Sequence, residues 1–170
     1  RPEATGYGTC YFAEAMLATK GDSFAGKSVA ISGSGNVAQF AAQKALQLGA
    51  KVLTMSDSNG SIYDPEGINE EKLAYIMELK NIFRGRIREY VQKYPTAHYF
   101  EGKRPWEQKV DVVMPCATQN EVSEADAKNI VANGVKYYVE VANMPTTDEA
   151  IAVLRKAGTV IAPSKAVNAG

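Results

Sequence analysis

The segment that most restricts the fold is ISGSGNVAQ, residues 31–39. In it Gly33, Gly35 and Ala38 take the spacing G-x-G-x-x-A between an apolar run and a helix-like run. A strand that feeds such a turn and then a helix brings backbone N–H groups and the positive end of the helix dipole to one point, which suits a pyrophosphate. There Gly33 would permit the tight turn, Gly35 would let phosphates approach the backbone, and Ala38 would let the helix pack on the strand. The spacing alone also occurs in ordinary strand-to-helix turns, so the surroundings decide. They match: residues 28–31 read as a strand, and residues 36–48 as a helix with Val37, Ala41 and Leu48 on one face and Gly49 as a stop signal. A second strand at 51–56 leads to Asp57, 24 positions beyond Gly33. That is close to the roughly 20 expected of the carboxylate that reads an adenosine ribose.

The rest of the chain alternates short β-rich runs with longer runs of helical period, which indicates an α/β architecture. Further strands are expected at 98–100, 111–114, 137–141 and 159–161. Several are apolar on both faces, as in a buried parallel sheet. A first helix is expected within 3–19 despite Gly6 and Gly8, a long charged one over 69–94 interrupted near Gly85, and two more at 123–132 and 147–157 with Ser/Thr caps. At 170 residues, with no repeat or low-complexity linker, the expectation is one domain spanning 1–170.

Nineteen basic residues against nineteen acidic ones leave no net charge to recruit nucleic acid or an anionic membrane. No apolar run reaches the roughly 18 residues that span a bilayer. The two cysteines, Cys10 and Cys116, form neither a C-x-x-C pair nor a metal cluster, which suits free thiols in a reducing cytoplasm. The chain opens RPEATGYG without Met and stops at KAVNAG, so it reads as a piece of a longer polypeptide.

Asp57 raises the choice of cofactor. A carboxylate there accepts from a free 2′-hydroxyl and repels a 2′-phosphate, which favours NAD. Yet Ser58, Asn59 and Gly60 follow it, and Lys80, Arg84 and Arg86 on the next helix could supply positive charge. A charge-assisted contact of about 1.5–3 kcal/mol would override one unfavourable carboxylate. From spacing alone, those three cations read more simply as a solvated helix face.

Further stretches join the turn: RPEATGYG (1–8), SDSNG (56–60), YDPEG (63–67), KRPW (103–106), PCATQNE (115–121), EVANMPTT (140–147) and APSKAVNAG (162–170). Together, and in order along essentially the whole chain, they resemble the nucleotide-binding domain of the hexameric bacterial-type glutamate dehydrogenases. The resemblance implies a modified Rossmann-type three-layer αβα sandwich, its sheet mostly parallel with one reversed strand. It also implies hydride transfer to a nicotinamide during reversible oxidative deamination of L-glutamate to 2-oxoglutarate and ammonia. Thr5 then matches the hydroxyl near the nicotinamide, and Ser34, Asn36 and Val37 complete the pyrophosphate turn. Ala117, Thr118 and Gln119 match a second wall of the cleft, and Asn143 matches a contact to the nicotinamide ribose or carboxamide. The SDSNG loop, with Ser58 and with Lys80 near a 2′-phosphate, is similar to the NADP-preferring members. NADP is therefore the expected cofactor, with NAD as the alternative, although YDPEG is also similar to NAD-preferring relatives. The resemblance puts the glutamate-binding and proton-transferring residues in a substrate domain outside this chain, so no catalytic residue is assigned here, and it implies a homohexameric parent.

Other residues invite plainer readings. Cys116 suits a small packed hydrophobe rather than a nucleophile, because no base neighbours it in sequence. His98, the only histidine, reads as a strand start, Trp106 as a packing anchor, and Lys165 as part of a return hinge. Two alternatives stay open: the cofactor domain of a branched-chain or aromatic amino-acid dehydrogenase, and a standalone nucleotide-sensing module.

Overall fold

The computed structural model describes residues 2–118 and 120–163, with the side chains of residues 2–7 and 9 outside that description. Seven strands are described: β1 (Ser28–Ser32), β2 (Lys51–Asp57), β3 (Gly60–Tyr63), β4 (His98–Glu101), β5 (Val112–Pro115), β6 (Tyr137–Val139) and β7 (Val160–Ala162). They form one sheet in the order β4-β3-β2-β1-β5-β6-β7. All neighbours pair in parallel except around β3, which runs antiparallel to both β2 and β4. One strand is therefore reversed, as the resemblance implied.

Alternation of side chains along a strand explains the layers. Val29 and Ile31 of β1, Val112 and Met114 of β5, and Tyr137 and Val139 of β6 enter one apolar core, while Ala30, Val113 and Tyr138 enter a second. The first core is closed by α1 (Pro2–Thr19), α2 (Asn36–Gln47) and α3 (Glu70–Asn81), and the second by α5 (Glu124–Ala132) and α6 (Asp148–Lys156). Each fully buried large aliphatic, such as Ile31 or Ile76, contributes about 1.5–3 kcal/mol relative to exposure. Helix α2 buries Ala38, Ala41, Ala42 and Ala45, a face small enough for close packing on α1, and the Cys10 thiol of α1 donates to the Ala41 carbonyl.

Three helices begin where a polar side chain can hold a free N–H. Asn69 caps α3, Ser123 caps α5 with a reciprocal bond to Asp126, and Thr147 caps α6, each worth about 1 kcal/mol.

One expectation needs correction and another refinement. Strand β3 falls where sequence reading placed only a loop and a turn, because its residues Gly60, Ser61, Ile62 and Tyr63 carry one aliphatic between the turn-rich stretches SDSNG and YDPEG. The interruption expected near Gly85 is present but wider than a kink: the helix ends at Asn81 and resumes only as a 3-10 turn at Ile87–Glu89 running into α4 (Tyr90–Lys93). The break lies ahead of Gly85 and has a long-range cause: the backbone turns away at Arg84, with φ 54°, and delivers the Ile87 N–H and the Arg86 guanidinium to Asp57. Arg84 and Arg86 therefore stand on a loop and not on the helix. Among the described residues no helix is long and apolar enough to cross a membrane.

Candidate cofactor cleft

Parallel strands β1, β2 and β5 end at the same edge of the sheet, so the turns that follow them converge. They enclose a cleft of about 970 Å³. Gly33, Ser34, Gly35, Asn36, Val37, Asp57, Ser58, Lys80, Ala117 and Thr118 all line it, so the structure brings together ten of the residues singled out from sequence. Asn143 is exposed and is not part of this lining. Its loop is nevertheless tied to the cleft wall, because Asn120 N–H donates to the Met144 carbonyl and Val122 N–H to that of Pro145. Thr5, by its side chain, and Gln119 and Lys165 altogether, lie outside the described residues.

The two glycines of the turn differ physically. Gly33 has φ 88°, and a Cβ there would stand 3.2 Å from the Cys116 carbonyl oxygen and 3.3 Å from Ala117 Cα. Its N–H donates to Ser56 Oγ at 2.8 Å, and its carbonyl accepts from Ser56 N–H at 3.1 Å, which clamps the turn onto β2. Gly35 has an ordinary φ of −78°, and a Cβ there would meet nothing within 4 Å. Neither backbone strain nor packing thus requires glycine at 35. Gly35 is also the N-cap of α2, and unlike the caps of α3, α5 and α6 it offers no side-chain acceptor. The first N–H groups of a helix have no intrahelical partner, so those of α2 are left to face the cleft with the positive end of the dipole.

Asp57, its side chain 6 % exposed, stands at the end of β2 with four donors around it. One carboxylate oxygen accepts from Asn59 N–H at 2.9 Å and faces Arg86 Nη2 at 3.3 Å. The other accepts from Ile87 N–H at 2.8 Å and faces Lys80 Nζ at 3.5 Å. Burial alone would push this carboxyl up; the two N–H groups and the two cations outweigh it and hold the group below the usual carboxylate range. Lys80 also donates to the Gly85 carbonyl at 3.1 Å, and Arg86 to Ser58 Oγ at 2.7 Å and to Asn59 Oδ1.

The wall after β5 is organised by a residue that sequence reading quoted but did not single out. Glu121 is 1 % exposed and accepts from Ser32 Oγ at 2.9 Å and from Ala117 N–H at 3.1 Å. Burial raises its carboxyl above the usual range, an effect that Ser32, the Ala117 and Thr118 N–H groups and the Arg104 charge only partly offset. Ser32 Oγ in turn accepts from Cys116 N–H, and Arg104 donates to the Glu121 carbonyl, so strand, loop and carboxylate form one unit. The sequence signal was the acidic residue closing the loop after an apolar strand. Ser56 left no signal beyond its place just before Asp57.

Cys116 lines the cleft but is buried. Its thiol donates to the Met114 carbonyl, and burial pushes its pKa well up, so it behaves as a packed small side chain. Trp106 is 2 % exposed within the second core and also borders the cleft. His98 lies on β4, stacked on Tyr63, and among the described residues no His, Cys, Asp and Glu group could hold a metal ion.

Comparison with known proteins agrees with this geometry. The family model for glutamate/leucine/phenylalanine/valine dehydrogenase matches residues 1–170. The chain is 59 % identical over 170 residues to the NADP-specific glutamate dehydrogenase of Haemophilus influenzae, covering all of this chain and 38 % of that protein. It is 54 % identical over 172 residues to the NAD-specific glutamate dehydrogenase of Clostridium symbiosum, again covering all of this chain and 38 % of the relative. The crystal structure of Plasmodium falciparum glutamate dehydrogenase superposes with a TM-score of 0.95 at 43 % identity, over 99 % of this chain and 36 % of that one. The chain thus spans little more than a third of the length of these relatives, and it belongs to the glutamate/leucine/phenylalanine/valine dehydrogenase family.

Proposed function

We propose that residues 1–170 are the dinucleotide-binding domain of a glutamate dehydrogenase, that the glutamate site lies in a part of the enzyme outside this chain, and that the cofactor is NADP in preference to NAD. The observation that carries the reading is the start of α2: a helix end without a capping side chain, at a glycine whose Cβ position is open, in a cleft that also holds the Asp57 cluster. A pyrophosphate fits that point by charge and by space. When bound, the nicotinamide supplies the hydride acceptor for reversible oxidative deamination of L-glutamate to 2-oxoglutarate and ammonia. The residues of this chain bind and orient it. Gly35 and the first turn of α2 hold the pyrophosphate, Ala117 and Thr118 form the facing wall, and by family resemblance Gln119 contributes there while Thr5 and Asn143 serve the nicotinamide end. The parent enzyme is a cytoplasmic homohexamer in this reading.

The preference for NADP rests on Asp57. Asp57 already accepts from the Asn59 and Ile87 N–H groups and from Lys80 Nζ, and Arg86 faces it as a charge at 3.3 Å. Most of its acceptor capacity is therefore taken before a ribose 2′-hydroxyl arrives, and its charge is answered by Lys80 and Arg86. Those cations and the Ser58 hydroxyl can instead receive a 2′-phosphate. Identity does not choose between the two, because the compared relatives include NADP-specific and NAD-specific enzymes.

Calorimetric titration with NADP and NAD tests both parts. Lys80→Ala should weaken NADP about tenfold or more, the loss of one charge-assisted contact, and NAD less than about threefold. Equal losses would refute the phosphate contact, and no binding of either dinucleotide by the wild-type chain would refute the cofactor reading. Without the glutamate site the chain should form no NADPH from glutamate and NADP.

A further inference from the structure

Helix α2 carries a glutamine where its other buried positions carry alanine. Gln39 is 0 % exposed, and its amide is fully assigned by its partners. Nε2 donates to the Ser34 carbonyl at 2.8 Å, which requires the nitrogen end of the amide to face the turn. The same nitrogen donates to Asn81 Oδ1 at 3.1 Å, and Asn81 Nδ2 donates back to Gln39 Oε1 at 3.0 Å, closing a cyclic amide pair. Asn81 is the last residue of α3 and follows Lys80 directly.

The C=O and N–H of one planar trans peptide point in opposite directions. Holding the Ser34 carbonyl to the buried Gln39 side chain therefore turns the Gly35 N–H away from it. That N–H belongs to the residue that caps α2 and lines the cleft. We propose that Gln39 is a positioning residue that aims the Gly35 N–H at a bound pyrophosphate, and that Asn81 acts through it by fixing the rotation of its amide. The proposal rests on the cofactor reading above and adds a route by which the end of α3, which presents Lys80, is coupled to the turn that holds the phosphates.

Three variants test it. Gln39→Glu keeps the shape and replaces the donor with an acceptor that repels the Ser34 carbonyl. Gln39→Met removes the bond without adding charge. Asn81→Ser shortens an exposed side chain beyond reach of Gln39. NAD is the probe, since it carries the pyrophosphate without a 2′-phosphate, and its affinity is measured by calorimetry at a temperature where circular dichroism shows each variant folded. Both Gln39 variants should lose about tenfold or more in NAD affinity, Asn81→Ser less, and Asn81→Ser should add nothing in the Gln39→Met background. A purely structural role would lower the melting temperature and leave the affinity of the folded protein unchanged, and that result, or additive losses, would overturn the proposal. Inorganic pyrophosphate, followed at the Gly35 amide by NMR, keeps the two readings separate. The resonance should move in wild type and stay in place in Gln39→Met even if no dinucleotide binds, and equal movement in both would also overturn it.

Discussion

The contrast between Gly33 and Gly35 yields the sharpest prediction, because one alanine substitution should damage the fold and the other the site. At Gly33, φ is 88° and the added Cβ would press on the Cys116 carbonyl oxygen at 3.2 Å and on Ala117 Cα and Cβ at 3.3 Å. A left-handed conformation costs an L-residue about 1–2 kcal/mol, and the contacts fall on backbone of the facing wall, which cannot swing aside as a side-chain tip can. A total of about 2–3 kcal/mol corresponds to a fall in melting temperature of roughly 4–12 °C for a chain of this size. At Gly35, φ is −78°, ψ is −171°, and the Cβ position is open. Alanine is a poorer N-cap than glycine, so Gly35→Ala should cost at most about 1 kcal/mol of stability. Its methyl group would occupy space at the uncapped helix end, however, and should weaken NADP and NAD alike by about tenfold or more. Thermal unfolding without ligand and calorimetric titration on the same preparations separate the effects. If Gly35→Ala bound both dinucleotides as wild type does, or if Gly33→Ala melted with wild type, the division of roles would be refuted.

Asp57→Asn gives a pH test. Because the folded state holds the Asp57 carboxyl below its ordinary value near 3.8, the ionised form favours folding above that value, and the contribution is lost as pH falls through the folded pKa. The urea-unfolding free-energy gap between wild type and Asp57→Asn should therefore be widest well above pH 3.8 and shrink as pH falls below it, whereas a pH-independent gap would count against the cluster. Thiol chemistry gives another: burial pushes Cys10 up to about 12 despite Lys44 nearby, and pushes Cys116 well up, so an aromatic disulfide reagent near neutral pH should label neither cysteine in the native chain and both in urea. Rapid native labelling of Cys116 would mean that its thiol is open to the cleft.

What was legible in the sequence followed from period and from local punctuation. The Gly-rich turn, the six strands read from apolar runs and the caps at Ser123 and Thr147 are all set by residues within a few positions of one another, and the observed elements match to within a few residues. What was not legible depends on distant partners. Ser32 meets Glu121 across 89 positions, Gln39 meets Asn81 across 42, and Gly33 meets Ser56 across 23. No spacing rule connects such pairs, so Ser56, Glu121 and Asn81, which hold the cleft in shape, were missed, while ten residues that line it were found. The width of the helix break is the same lesson in backbone form: an interruption near Gly85 was legible, but the capture of the Ile87 N–H by the Asp57 carboxylate, 30 positions away, was not.

The reversed strand ties these observations together. Because β3 returns antiparallel directly after β2, pairing Asp57 with Gly60, the connection at the ribose end of the cleft is a two-residue turn through Ser58 and Asn59 in place of a longer crossover to a helix. The turn folds the Asn59 N–H back onto Asp57, and it sets Ser58 and Asn59 where Arg86 can bond both. Asp57 is thereby engaged in holding the loop at 82–87 against the hairpin, and on the proposed reading the groups left to meet the cofactor there are Lys80 at the end of α3, Arg86 of the loop and the Ser58 hydroxyl. In an uninterrupted parallel sheet the carboxylate after the second strand reads the ribose directly. Here the fold gives it a structural task, and on the proposed cofactor reading the choice would pass to Lys80, Arg86 and Ser58. Exchanging Asp57 alone should loosen that loop before it changes the preference.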